Sequence, residues 1–146
     1  MKAASKEHRT ALVTGSTSGI GLAIAHALAA DGFNIVLNGR RPEADLEPLR
    51  QELADTHGVA VSYLSADMSD PDQIKRLVAD AIEKSSGVDV LVNNAGIQFV
   101  APIEEFPTEK WDAILAIILS AAFHTTRAIL PHMRQQQWGR IINIAS

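Results

Sequence analysis

The sequence predicts a doubly wound α/β domain, a parallel sheet of about five strands in the order 3-2-1-4-5 with helices on both faces. Three observations lead there. Short apolar runs alternate with longer amphipathic stretches along the whole chain. The first run is followed by a glycine-rich turn that opens into a helix. Strand–helix alternation of this kind closes only by right-handed crossovers that lay helices on the sheet.

Taken in order, residues 10–14 (TALVT) read as a buried strand. A helix follows over 19–31, with Leu22, Ala25, His26, Leu28 and Ala29 at packing spacings, and Gly32 ends it. Residues 34–38 (NIVLN) form the second strand, and 42–56 the second helix, whose apolar face includes Leu46, Leu49 and Leu53. The third strand, 59–65, alternates in polarity, as a strand nearer a sheet edge does. Asp70-Pro71-Asp72-Gln73 is a helix start: a capping aspartate, proline at the first helical position, and glutamine three residues after the cap. That helix runs to Ser85 with Ile74, Leu77, Val78, Ala81 and Ile82 inward. Residues 88–92 (VDVLV) give a fourth strand. A long helix spans 108–136, bent at Pro131, which has no N–H to donate to the carbonyl of Arg127. Residues 140–144 (RIINI) give a fifth strand.

The 146 residues fit one domain, 1–146, and 47% hydrophobic content supplies a core. A net charge of -4 offers nothing to nucleic acid or an anionic membrane. The absence of cysteine excludes disulfides and thiolate chemistry. The amino terminus lacks the apolar run of a signal peptide, and no stretch approaches the roughly 20 apolar residues of a membrane span. A soluble, cytoplasmic protein is expected. His8, His26, His57, His124 and His132 show no metal-ligand spacing, so no metal is expected, although His124 is a candidate to pack beneath the site.

Ligands of such sheets bind beyond the carboxyl ends of the strands, so the chemistry belongs in the segments that follow them. After the first strand comes TGSTSGIG, Thr14 to Gly21. Gly15 permits the tight turn, Gly19 lets backbone amides approach a pyrophosphate, and Gly21 lets helix and strand pack closely, with Ser16, Ser18 and Ile20 between them. With a strand before it and a helix after it, this is the Rossmann-type fingerprint for a nicotinamide dinucleotide. After the second strand stands Asn38-Gly39-Arg40-Arg41 with no carboxylate to select the 2′-hydroxyl of NAD. Gly39 removes the anion that would repel a 2′-phosphate and Arg40 offers it a partner, so NADP is tolerated; alternatively both arginines are solvated surface charges. After the third strand, Asp67 is placed to accept from an adenine amino group with Met68 against the ring, unless Asp67 merely ends the strand. After the fourth come Asn94, Ala95 and Gly96 of NNAG, small and amide residues that bring backbone near a ligand and tie strands together.

TGSTSGIG, Asp67, NNAG and the terminal IINIAS together resemble the short-chain dehydrogenase/reductase family across essentially the whole chain. Two further segments, GIQFVAPIEEFPTEKWD and FHTTRAILPHMRQQQWGRIINIAS, resemble the bacterial 3-hydroxybutyrate dehydrogenases within it. The resemblance implies hydride transfer between NAD or NADP and a secondary alcohol or ketone, 3-hydroxybutyrate and acetoacetate first, with a 3-oxoacyl thioester reductase as the neighbouring reading. It implies that Ser146 orients the substrate oxygen, that Gln98 binds a substrate carboxylate, unless it is an ordinary exposed loop residue, and that the assembly is a homotetramer.

Two departures stand out. Ile118 occupies the family's asparagine position; it shares a helical face with Trp111, Ile114, Leu115 and Ala122, which predicts core packing, and it can neither donate nor accept in a proton relay. The sequence also stops at Ser146, before any Tyr-x-x-x-Lys, and its one tyrosine, Tyr63, sits in the third strand, far from the site by topology. The expectation is therefore part of an enzyme, incomplete at its carboxyl-terminal end, inactive alone, with further strands and helices missing and the fifth strand an open apolar edge. A catalytically silent nucleotide-binding protein is the alternative from a different class. The exposed side of the long helix, and Trp111, Phe123 and Trp138, are expected to serve in the core or in subunit contacts.

Overall fold

All five apolar runs become strands of one parallel sheet in a computed structural model that describes residues 8–145. The strands are β1 (Thr10–Val13), β2 (Asn34–Gly39), β3 (Val61–Ser65), β4 (Val90–Asn93) and β5 (Arg140–Asn143), in the spatial order β3-β2-β1-β4-β5. Leu12 of β1 lies opposite Val36 of β2 on one side and Leu91 of β4 on the other. The chain winds outward from β1 to β3, then returns to place β4 on the far side of β1. The switch point falls between the carboxyl ends of β1 and β4.

The helices are α1 (Gly19–Ala30), α2 (Glu43–His57), α3 (Pro71–Lys84), α4 (Thr108–Ile114) and α5 (Ala121–Gln135); α1, α2, α3 and α5 cover the sheet, and α4 has no buried residue. Successive strand residues point to opposite faces, so each strand feeds two cores. Ala11, Val13, Ile35, Leu37 and Val92 pack with Ala25 and Ala29 of α1 and Leu46 and Leu53 of α2. Leu12, Val36, Leu64 and Leu91 pack with Ile74, Leu77, Val78 and Ala81 of α3 and Ile129 and Met133 of α5. Most of the expected inward residues are therefore found inward, and β3 is an edge strand.

The start of α3 follows its sequence signal, with one change. Asp70 Oδ1 accepts from the backbone N–H groups of Asp72 and Gln73, and Pro71 takes the first turn. Gln73 does not close back on the cap's own N–H. Its Nε2 donates to Asp70 Oδ2, and its Oε1 accepts from the N–H of Asp67, which ties the helix start to the end of β3.

The long helix departs from expectation. Residues 108–135 are helical throughout, but Leu115–Ser120 form a π turn between α4 and α5. The irregularity lies there; α5 runs on through Pro131 to Gln135. This 28-residue stretch, with a mean hydropathy of 1.7 over its most apolar window, is long and apolar enough to cross a membrane by length and composition, which corrects the expectation that no stretch approaches that limit. Ala121, Thr125, Ile129 and Met133, four residues apart, are buried on its inner side, where α5 packs on α3 and β4. Its role in the fold is that of a sheet-covering helix.

Candidate dinucleotide site

The turn after β1 is held by side chains from three strands. Thr14 Oγ1 accepts from the N–H groups of Asn94 and Ala95, both at 3.0 Å, which fastens the end of β4 to the end of β1. Asn94 Nδ2 donates to the carbonyls of Thr14 and Gly15 at 3.1 and 3.0 Å. From the other side, Asn38 Oδ1 accepts from the Gly15 N–H, and Asn38 Nδ2 donates to the Leu64 carbonyl. One buried asparagine thus joins the turn, β2 and β3.

Two of the glycines are required by geometry. Gly15 has φ +59°, and a Cβ there would lie 2.8 Å from Ala95 Cα. A Cβ on Gly21 would overlap the Gly15 carbonyl and Asn94 Nδ2. Both contacts follow from the same demand, that the turn, the first residues of α1 and the end of β4 occupy one small volume.

A cleft of about 410 Å³ opens above this turn. It is lined by Gly15, Thr17, Ser18, Ile20 and Gly21 from the turn, by Asn38 and Gly39 at the end of β2 with Arg40 after it, and by Ala66, Asp67 and Met68 after β3. Asn94, Ala95, Gly96 and Ile97 after β4, and Ile117 of the π turn, complete it. The amino terminus of α1, a helix of 12 residues, adds a positive end to the floor.

Not every residue expected at the site lines the cleft. The Ser16 side chain faces away from the cleft: its hydroxyl donates to the Val13 carbonyl and accepts from the Asn38 N–H, so it braces the turn. Gly19, at φ +55°, lies outside the cleft lining. Gln98 is exposed two residues beyond Gly96, also outside that lining. Ile118 is 46% exposed and does not pack in the core. In a continuous α-helix it would lie two turns above buried Thr125 on the same side; the wider π turn moves it off that line and brings Ile117 inward instead. His124 does not lie beneath the site but lines a separate groove with Lys75 and Arg127 between α3 and α5. Ser146, the expected catalytic serine, lies outside the described residues.

Arg40 and Arg41 part company. Arg40 lines the cleft, whereas Arg41 turns to Asp45 at 3.5 Å. Gly39 has a steric role as well as an electrostatic one, since a Cβ there would lie 2.9 Å from Thr17 Cγ2. Tyr63 is nearer the cleft than topology suggests, with its hydroxyl under Gly39. That hydroxyl donates to the Arg41 carbonyl at 2.6 Å, and burial raises its pKa, so it is bound in place rather than free to exchange a proton. The Asp67 carboxyl is held below the usual carboxylate range by hydrogen bonds from the backbone and side chain of Ser69, with Arg40 assisting.

Sequence reasoning assigned no role to Thr17, Asn38, Ile97 or Ile117. Asn38 stands beside Gly39 at the end of β2, and Thr17 lies between Gly15 and Gly19 in the turn, which was an available signal. Ile117 had none, because its inward direction depends on the π turn. Among the described residues, no three His, Asp or Glu side chains come together as metal ligands.

Residues 9–146 match the family model described as short chain dehydrogenase. The chain is 56% identical over 139 residues to the D-beta-hydroxybutyrate dehydrogenase of Cupriavidus necator, covering 94% of this chain and 53% of that protein. It is 50% identical over 138 residues to the D-beta-hydroxybutyrate dehydrogenase of Rhizobium meliloti, covering 94% and 54%. The crystal structure of L-sorbose reductase from Gluconobacter frateurii, complexed with NADPH and L-sorbose, superposes with a TM-score of 0.89 at 36% identity, covering 95% of this chain and 52% of that one. The chain therefore spans about half the length of the curated relatives it matches.

Proposed function

The chain belongs to the short-chain dehydrogenase family, and on that premise we propose that it is the dinucleotide-holding part of an NAD(P)-dependent dehydrogenase whose substrate pair is 3-hydroxybutyrate and acetoacetate. The observation that carries this is the cradle at the switch point, where Gly15 and Gly21 leave room that a Cβ would fill and Asn94 pins the turn from across the sheet. The residues present fit a dinucleotide along the length of the cleft. The turn and the first amides of α1 take the pyrophosphate. Gly39, Arg40, Asp67 and Met68 take the adenosine end, and Asn94 to Ile97 with Ile117 take the nicotinamide end. Bound there, the nicotinamide supplies or accepts the hydride.

This chain's own residues bind, orient and exclude water. Ile20, Ile97 and Ile117 give the cleft apolar walls, and Arg40 meets a 2′-phosphate where one is present, so either NAD or NADP is held. Gln98 and Ser146 act on the substrate in the whole enzyme, the first on its carboxylate and the second on its reacting oxygen. The exposed side of the long helix, with Trp111, Leu119 and Phe123, is the contact face of a homotetramer. We place the enzyme in the cytoplasm.

Calorimetric titration of the chain with NAD and with NADP tests the reading. Both bind, and Arg40→Ala weakens NADP by about tenfold while leaving NAD nearly unchanged, the effect of losing one charge-assisted contact. Failure of the parent to bind either dinucleotide would falsify the proposal. Ile118, exposed where the family's asparagine stands, favours a second reading in which the dinucleotide is held without turnover. Acetoacetate reduction by the whole protein decides between them, and restoring Asn at 118 then measures what the relay contact contributes.

A further inference from the structure

We propose that Ser69 is a positioning residue: it fixes the carboxylate of Asp67 so that the cleft prefers a 6-aminopurine dinucleotide to a 6-oxopurine one. The inference rests on the cofactor reading above and concerns a residue that touches no ligand itself.

Asp67 leaves the end of β3 as a cleft-lining residue beside Arg40 and Met68. Its two carboxylate oxygens are treated differently. Oδ1 accepts from the Ser69 N–H at 2.8 Å and from the Ser69 hydroxyl at 2.7 Å. Among the described residues no donor reaches Oδ2. The backbone beneath is equally constrained, because the Asp67 N–H donates to Gln73 Oε1 while Gln73 Nε2 is held by Asp70 Oδ2 at the cap of α3. The Asp70 N–H in turn donates to the Asp67 carbonyl at 3.1 Å. The segment from Asp67 to Gln73 is thus locked to itself, with one carboxylate oxygen left unbonded.

An ionised carboxylate only accepts hydrogen bonds. A fixed acceptor in an adenine-sized position discriminates between two purines that differ at one atom: an amino group at C6 donates to it, and a carbonyl at C6 opposes it. A mobile carboxylate would discriminate less, since it could swing to solvent when the wrong edge arrives. Two donors on Oδ1 remove that freedom, and one of them is a side chain that substitution removes. Ser69 is exposed, so its hydroxyl carries no packing role.

The same two hydrogen bonds favour the ionised form of Asp67. The other charged groups that act on it are Arg40 beyond β2, which also favours ionisation, and Asp70 at the start of α3, which opposes it. Losing the Ser69 hydroxyl therefore lets Asp67 take its proton at a higher pH. A protonated carboxyl oxygen no longer selects a donor, so the purine preference of the variant fades earlier as the pH falls.

The test is calorimetric titration of the chain with NAD and with nicotinamide hypoxanthine dinucleotide, for the parent, Ser69→Ala and Ser69→Thr. The parent prefers the adenine form by about tenfold, as expected for a hydrogen bond to a charged group. Ser69→Ala keeps the parent's melting temperature but loses about threefold of that preference, and loses more of it at acid pH than the parent does. Ser69→Thr, which keeps the hydroxyl, retains the preference. Binding of both dinucleotides by the parent with equal affinity overturns the inference and leaves the cofactor reading standing. So does a Ser69→Ala variant with the parent's ratio, or a Ser69→Thr variant that behaves like Ser69→Ala. No binding of either dinucleotide by the parent overturns the cofactor reading, and this inference with it.

Discussion

Around β1, β2 and β3 the strand faces are covered by helices, and the loops at their carboxyl ends hydrogen-bond to one another through Thr14, Asn38 and Asn94. Around β5 and the outer side of the long helix the picture reverses. Ile142 of β5 is 44% exposed and Phe123 of α5 is 59% exposed, although both belong to apolar runs. Yet the inner side of that region is as well satisfied as the first: Thr125 Oγ1 donates to Asn93 Oδ1 at 2.6 Å, and Asn93 Nδ2 donates to Asn143 Oδ1 at 2.9 Å. The difference shows which surfaces of this fold close on themselves and which stand open. The cleft draws mainly on the first region, with Asn94 to Ile97 after β4 and Ile117 of the π turn added from the second.

The comparison predicts a graded series of effects. The largest comes from removing core from the closed part: Leu12→Ala, at a fully buried position of the central strand, lowers unfolding free energy by about 2–5 kcal/mol in urea denaturation. Ile142→Ala, in the open part, changes it by only about 0.5 kcal/mol in the same measurement. Equal costs for the two would end the distinction between the halves. Next, Gly21→Ala forces a Cβ onto the Gly15 carbonyl and Asn94, and lowers stability by about 1–3 kcal/mol. Dinucleotide affinity falls with it, because the strain lands on the cradle itself.

Thr125→Val sharpens the comparison from the other side. It leaves the buried side-chain oxygen of Asn93, Oδ1, without its donor and costs about 1–2 kcal/mol by thermal or chemical denaturation. A neutral result would mean that the inner face of the open part is not held by this bond. The smallest effect is pH-dependent. Hydrogen bonds from Gln73 and Asp72 hold the Asp70 carboxyl below its usual range in the folded protein. A depressed carboxyl contributes stability above its unfolded value of about 3.9 and loses that contribution as the pH falls through the folded value. Asp70→Asn, which keeps a capping oxygen, therefore melts slightly below the parent at neutral pH, and the gap closes as the pH drops below about 4. A gap that persists in acid would show that the charge at Asp70 is not what stabilises the start of α3.

Much of the site was legible because its demands are local. Gly15 and Gly21 answer to a left-handed turn and a close approach, and each excludes a side chain whatever the distant sequence does. Asp70-Pro71-Asp72-Gln73 caps a helix from within its own few residues. The parallel order of the strands followed from the alternation of apolar runs with helices, a pattern that few topologies accommodate.

Other features were decided only by tertiary structure. Ser16 and Ser18 look alike in the turn, but Ser16 is drawn inward by Val13 and Asn38, while Ser18 faces the cleft. Arg40 and Arg41 are adjacent and chemically identical, and Asp45 removes only the second. Ile118, expected in the core, stands exposed while Ile117 packs inward, because one wide turn in the helix shifts the faces, and no periodicity count over an assumed α-helix registers that shift. By itself the sequence determined where the chain turns, which stretches alternate and where the glycine turn opens into a helix, because those depend on backbone sterics among near neighbours. Which of two equivalent side chains lines the cleft was left to the packing, because that depends on partners 20 to 80 residues away, brought alongside only when the sheet assembles.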